Sequence, residues 1–378
     1  MTRQPHTPAP KVYLASYRDF RAIPGAPWVY WIPDGIRRLF RALPELGEVA
    51  TPVVGLQTGE NFRFLRFWWE VGLERIAFDC RDRAEARSTG RRWFPYMKGG
   101  AYRKWYGNQE YVVNWWNDGA EMRAFEPAVI RNPDYYFREG VTWSKVTSGG
   151  FSVRYTPPGF VFDVAGTSVF PPHGKVFYIA GVLNSALIAS ILRFISPTVN
   201  YEVGHIASLP VLPTFANERV KALAQQAIRV QFLDATLTEP TFDFIAPPRW
   251  DTGIEDLAVA RDRLRELEAR IDEEVYRLYG IAAEDRAAIE AELGAAHHAD
   301  EDAPPLTREE LAKRWISYAV GVVMGRFRPG LPRTREPHAR GPLGRAVFHP
   351  EDFAVGSLPA PSPEEFDALL SPAGRPAC

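Results

Sequence analysis

The sequence predicts an α+β protein in which a mixed α/β portion is followed by a helical region. Three observations carry that expectation. Between Val49 and about Pro213, short β-like runs alternate with turn residues. The stretch from Asn184 to Ile195 is apolar on nearly every side and is stopped by Pro197, which reads as a buried core helix. Leu257, Ala260, Leu264, Leu267, Ile271 and Leu278 then recur at three- and four-residue spacing between charged faces, with Gly280 placed for a left-handed cap.

The elements follow in chain order. Residues 1–45 are rich in proline and aromatics (IPGAPWVYWIP), contain one short amphipathic piece from Ile36 to Leu43, and read as an N-terminal connector without its own core. A partner surface is expected to cover them. Residues 46–215 form the mixed portion. Phe151, Val153 and Tyr155 face one way while Ser152 and Arg154 face the other, so this run is a strand. Pro157-Pro158-Gly159 turns the chain into a second strand, Phe160 to Val164. The continuous apolar run Val176 to Val182 predicts a third, buried strand. Asn184 or Ser185 caps the core helix. Residues 216–328 form the helical region, where the seam of the long helix covers only about three heptads and therefore suits packing on the first half better than a free coiled coil. Thr307 with Glu310 makes a capping box for a helix through about Val323. Residues 329–378 are rich in Pro and Arg, then acidic, and are expected to be poorly ordered.

Composition narrows the class. A chain of 378 residues with 46% apolar content can bury a large core. Two cysteines, Cys80 and Cys378, provide no disulfide framework or metal spacing, no run of about 18 apolar residues is present to span a bilayer, and MTRQPHTPAP lacks the apolar centre of a secretory signal. A cytoplasmic location without membrane contact is the expectation. The net charge of -1 conceals an asymmetry: residues 1–235 hold 28 Lys and Arg against 20 Asp and Glu, whereas residues 236–378 hold 17 against 26. That division suits one polyanion-binding part and one solvated or partner-facing part. Long helices rich in Glu and Asp account for the acidic half equally well.

The stretch Trp93 to Gly119 concentrates the chemistry, since nine of its 27 residues are aromatic and Lys98, Arg103 and Lys104 sit among them. Cations for phosphates, rings for bases and amides for base edges are what a polynucleotide surface requires. Lys98, Arg103, Lys104, Arg63 and Arg66 are the candidate phosphate contacts, with Gly99 and Gly100 letting backbone amides approach as an anion nest. Asn108, Asn114 and Asn117 are candidates for base edges, or else for left-handed turns. Trp105 and Tyr106 are candidates to wedge or stack. Trp93, Trp115, Trp116 and Trp143 are assigned to packing, and His205 to fixing a loop.

Several sites are missing. No Gly-x-Gly occurs, Gly174-Lys175 lacks the preceding glycine of a phosphate loop, and neither His-Glu-x-x-His nor Cys-x-x-Cys is found. His297-His298 lies in a linker-like stretch and reads as solvent-exposed. No lysine follows an acid at two residues, which removes the Glu-x-Lys element of one class of metal-dependent nuclease. Asn132-Pro133-Asp134-Tyr135 is close to the Asn-Pro-Pro-Tyr loop of amino-methyltransferases, but its second proline is replaced by Asp134, and it reads as a turn leading into a strand.

The blocks GLQTGENFRFLRFWWEV, WFPYMKGGAYRKWYGN, VVNWWNDG, YYFREGVTWSKVTSGGFSVRY, FDVAGTSVFP, LNSALIASILRFISPTVNYEVGHIASLPVLP, IDEEVYRLYGI and ISYAVGVVMGRF stand in one order. In that order the chain resembles the specificity half of the BREX adenine-specific DNA methyltransferases, the PglX-like proteins, and of related fused type IIG restriction-methylation enzymes, over about residues 20 to 330. The resemblance implies a DNA target-recognition domain followed by helices, double-stranded DNA as ligand, and a role in phage defence. It also implies that the catalytic domain, with its S-adenosylmethionine site and Asn-Pro-Pro-Tyr loop, lies outside this chain. The expectation is therefore a chain with no cofactor and no catalytic residue of its own, working with a separate methyltransferase subunit or other phage-defence proteins. Two alternatives stand beside it: a non-functional fragment of a split gene, and a carbohydrate-active protein using Glu110, Asp118 or Glu121 as acid and base.

Overall fold

Among the described residues, eight short strands pair into two four-stranded sheets, and the helices pack around them in an α+β arrangement. The computed structural model describes residues 21, 23–25, 27–213, 217–294 and 305–324. Residues 329–378, His297-His298 and the first twenty residues of the expected connector lie outside the described residues.

The chain enters through α1 (Asp34–Ala42) and the single turn α2 (Leu46–Val49). It then passes through β1 (Thr51–Val53), the one-turn α3 (Asn61–Phe64), β2 (Leu65–Phe67), α4 (Arg83–Ser88), β3 (Trp93–Met97), β4 (Tyr111–Asn114) and α5 (Trp116–Arg123). Strands β5 (Gly140–Trp143), β6 (Val153–Thr156), β7 (Val161–Phe162) and β8 (Ser168–Phe170) complete the sheets. One sheet runs β1-β8-β5-β6, all antiparallel, and the other runs β2-β4-β3-β7, where only the β3–β7 pair is parallel.

Helices α6 (Val176–Leu183) and α7 (Ala186–Ile195) follow, then α8 (Val203–Ala207), α9 (Glu218–Thr236), α10 (Gly253–Tyr279), α11 (Ala283–Gly294) and α12 (Arg308–Val323). Three sequence signals correspond to observed caps: the Ser185 side chain accepts from the Ile188 amide, the Thr307 hydroxyl accepts from the Glu310 amide, and Gly280 takes φ +62° behind α10. The expected strand at Val176 to Val182 is instead helix α6. Every residue of α6 is buried, and a short apolar run buried on all sides carries no periodicity that separates strand from helix. A Cβ at Gly181 would lie 2.6 Å from Val220 Cγ1, so α6 and α9 approach closely where the side chain is missing. No single helix among the described residues is long and apolar enough to cross a membrane. The α6–α7 pair, bent by 64°, is core.

Two apolar cores result, and each draws residues from both sides of position 215. The first joins Val141, Trp143, Val153, Tyr155 and Val169 of one sheet to α6, α7, α9, α10 and α11. It also takes in Ile23, Val29, Ile32, Ile36 and Leu39, so the described part of the connector contributes apolar side chains to a core shared with the rest of the chain. The second core joins the β2-β4-β3-β7 sheet to Phe242, Phe244 and Ala246 and to Leu311, Trp315 and Tyr318 of α12. Only the middle of the α10 seam is fully covered: Leu267 and Ile271 are buried, whereas Leu257, Ala260, Leu264 and Leu278 are half-buried. Gly181→Ala is expected to force α6 from α9 and to lower the unfolding free energy by about 1–3 kcal/mol, read as a lower denaturant midpoint with an unchanged slope.

Candidate nucleic-acid interface

The segment from Gly99 to Asn108 leaves β3 and runs along the acidic helices. Arg103 Nη1 lies 3.0 Å from Asp234 Oδ2 on α9, and Lys104 Nζ lies 3.6 Å from Glu268 Oε1 on α10. Trp105 Nε1 donates to that same Glu268 oxygen at 2.6 Å, and the Tyr106 hydroxyl donates to Asp243 Oδ2 at 2.8 Å. The backbone of Trp105 also exchanges hydrogen bonds with Val153 and Tyr155, which extends β6 sideways. Trp105 and Tyr106 are 1% and 2% exposed, so neither ring has a face left for a base. The structure thus engages four of the expected contact residues inside the molecule. The physical reason is that acidic side chains of the helical region, Asp234, Asp243 and Glu268, supply partners for this segment.

The remaining expectations divide. Lys98 Nζ sits 3.5 Å from Asp163 Oδ2 and donates to Asn61 Oδ1 at 3.3 Å. A Cβ on Gly99 would lie 2.6 Å from the Ala165 carbonyl oxygen, and one on Gly100 3.0 Å from Asn108 Nδ2. These glycines admit neighbouring chain, which is a different use from an anion nest. Asn108 is left-handed and its amide donates to the Ala101 carbonyl. Arg154, expected to face away from the core, does so but is fully buried beneath this segment. It donates from Nη2 to Ser144 Oγ, and burial followed by the nearby Arg103 charge pushes its pKa down to about 9. Trp115 and Trp143 are core as expected, while Trp116 is half-exposed. The His205 ring Nδ1 accepts from the Glu202 amide and closes a helical turn.

Arg63, Arg66, Asn114 and Asn117 come together with arginines that the sequence reading missed. Asn117, Asp118 and Gly119 are consecutive left-handed residues at the start of α5, a conformation that non-glycine residues adopt only when held in place. This turn sinks the Asp118 carboxylate beneath three guanidiniums. Arg83 forks onto it with Nε to Oδ1 at 2.8 Å and Nη2 to Oδ2, while Arg123 and Arg87 stand 3.4 and 3.5 Å from Oδ2. One turn on, Glu121 takes Arg63 at 3.3 Å, Arg92 at 2.7 Å and the Asn114 amide at 2.9 Å. Arg66 lies over the Trp93 ring and donates to the Phe62 carbonyl. Five arginines therefore surround two carboxylates. The exposed Asp134 also pairs with Arg83, and positive charge still remains in excess.

Burial raises the Asp118 carboxyl, but hydrogen bonding from Arg83 and the charges of Arg83, Arg123 and Arg87 outweigh it, and the net shift is downward. Glu121 behaves likewise, with burial opposed by Asn114, Arg63 and Arg92. Both are held ionised, the wrong state for a proton donor to a leaving group. Neither can act as the acid of a sugar-cleaving pair, and the oxygens of both already accept from arginine or amide donors; Glu110 is raised by burial. A signal for the cluster existed in the sequence: the 12 residues from Arg81 to Arg92 include Arg81, Arg83, Arg87, Arg91 and Arg92.

The stretch close to a methyl-transfer loop forms a single helical turn. Asn132 is left-handed and its amide donates to the Val54 carbonyl at 2.9 Å, Asp134 is paired with Arg83, and the turn leads towards β5. The Asn132 side chain is thereby held as part of this turn. Among the described residues, no group of three or more His, Cys, Asp or Glu is arranged to hold a metal ion.

With this geometry in view, the comparisons point to enzymes that modify adenine, since the chain's homologues are adenine-specific methyltransferases. It is 38% identical over 230 residues to the adenine-specific methyltransferase BrxX of Escherichia coli O9:H4 (strain HS), covering 60% of this chain and 18% of that protein. It is 33% identical over 352 residues to the adenine-specific methyltransferase PglX of Lacticaseibacillus casei (strain Zhang), covering 85% of this chain and 28% of that protein. The chain thus spans less than a third of the length of either relative. No family model matches it.

Because the folded pKa of Asp118 is depressed, its contribution to stability is complete above the unfolded carboxylate value of about 4 and is lost as pH falls through the lower folded value. Asp118→Asn is expected to cost about 1–3 kcal/mol at pH 7. Equilibrium unfolding should show that gap closing below about pH 4.

Proposed function

We propose that this chain is the DNA-recognition part of a PglX-like adenine-specific methylation system serving phage defence. Methyl transfer and S-adenosylmethionine binding are assigned to a methyltransferase domain or subunit that works with it. The observation that carries the reading is the arginine cluster on Asp118 and Glu121. Arginine forks match phosphate oxygens, and the cluster's excess positive charge favours a polyanion. The half-exposed Trp116 and the left-handed Asn117 stand at its edge, where a ring and an amide can meet bases. Similarity to BrxX and PglX supports DNA as the polyanion and adenine modification as the purpose.

In this reading Arg63, Arg66, Arg83, Arg87, Arg92 and Arg123 position the duplex, while Arg103, Lys104, Trp105 and Tyr106 fix the helical region behind it. Duplex binding measured across salt concentrations tests the assignment. Arg87→Ala combined with Arg92→Ala should weaken binding and reduce the log–log salt slope by about two, because each lost phosphate contact releases roughly one counterion fewer. Arg103→Ala should leave that slope intact and lower stability instead. A protein that does not retain duplex DNA even at low salt would refute the reading.

A further inference from the structure

Phe62 is the most exposed large apolar side chain among the described residues, at 93%, although its neighbours Phe64 and Leu65 are buried. A ring left in water forgoes the gain of burial, so its placement needs a reason. The backbone beneath it is held from several directions. The Thr58 hydroxyl donates to Asn61 Oδ1 at 2.7 Å, and the Lys98 ammonium reaches the same oxygen while also lying near Asp163. Gly59, at φ +70°, sits so close to Pro127 that a Cβ would lie 2.6 Å from its carbonyl carbon. On the other side Arg66 Nη1 donates to the Phe62 carbonyl at 2.6 Å. Arg63 packs over the Phe64 and Phe125 rings and is paired with Glu121. The ring therefore projects from a fixed platform rather than from a loose loop.

The surroundings identify the occupant. Arg63 and Arg66 follow Phe62 within four residues, and Arg92 joins Arg63 on Glu121, so cations for a polyanion stand on the same short segment and next to it. A flat apolar wedge beside guanidiniums suits a duplex whose base step opens while neighbouring phosphates are gripped. We propose that Phe62 is a wedge that inserts between adjacent base pairs of bound double-stranded DNA, with Arg63 and Arg66 holding phosphates beside the opened step. This inference rests on the DNA-recognition reading and adds a deformation that phosphate binding alone does not require.

Inserting a ring between base pairs unwinds the duplex, which a closed plasmid records without knowledge of the target sequence. Plasmid relaxed by a topoisomerase in the presence of the full chain, then stripped of protein, should show a shifted linking-number distribution. Phe62→Ala should lose that shift and bind about tenfold more weakly, while the salt slope stays as in the unaltered chain because the arginines remain. Phe62→Leu should keep part of the shift, and since the side chain is exposed, thermal unfolding of each variant should match the parent. An unaltered chain that binds plasmid without changing its linking number overturns the wedge and leaves the DNA reading standing. Equal unwinding by Phe62→Ala also overturns it. Absence of any binding removes both. A self-association that depends on Phe62, seen by light scattering without unwinding, would assign the ring to a second copy of the chain instead.

Discussion

Glu268 is the constraint on which the arrangement depends. One carboxylate on α10 receives the Trp105 indole and lies within reach of the Lys104 ammonium, while Arg103 and Tyr106 reach Asp234 and Asp243 close by. Because the Trp105 backbone is also bonded to β6, this contact ties the long helix to the edge of a sheet. A basic and aromatic segment that would otherwise be costly to leave exposed is thereby matched against three carboxylates of the helical region. The opposite charges of the two halves are an internal complement as much as a sign of an outside partner.

Fixing the 99–108 segment inward has consequences at both ends of the molecule. Arg154 becomes a buried cation without a carboxylate among its hydrogen-bond partners, bonded to Ser144 Oγ and covered by the strip that bears Arg103. At the other end of the β3–β4 hairpin, the chain continues through Asn114 into the left-handed turn at Asn117 to Gly119, which buries Asp118. Arginines then gather on Asp118 and Glu121 because each carboxylate offsets the repulsion among the cations around it. Cations are thus divided between a structural set, Arg103 and Lys104 on carboxylates and Arg154 on neutral oxygens, and a surface set in which charge of one sign is left over. The proposed phosphate contacts draw on the second set.

Much of the fold was legible. The caps at Ser185, Thr307 and Gly280, the long helix and the strand through Val153 all follow from side-chain chemistry and spacing within one segment. Val176 to Leu183 was not legible, because burial on every side erases the periodicity that separates helix from strand. The arginine cluster was legible only in part. Arg63 and Arg66 drew notice because they stand among aromatics, whereas Arg83, Arg87, Arg92 and Arg123 meet only through Asp118 and Glu121, across sequence separations of up to 35 residues. Conversely, a tryptophan- and lysine-rich block has the same composition whether it faces a nucleic acid or a neighbouring helix. Which it faces was decided by Glu268, 163 residues from Trp105.

Amide hydrogen exchange on the full chain with and without duplex DNA tests this division most directly. Added duplex should slow exchange around residues 61–66 and 114–123 and leave residues 101–108 and the middle of α10 unchanged. Slowed exchange confined to 101–108, with faster exchange around Glu268, would mean that the segment leaves its helix to meet DNA, and would contradict the account.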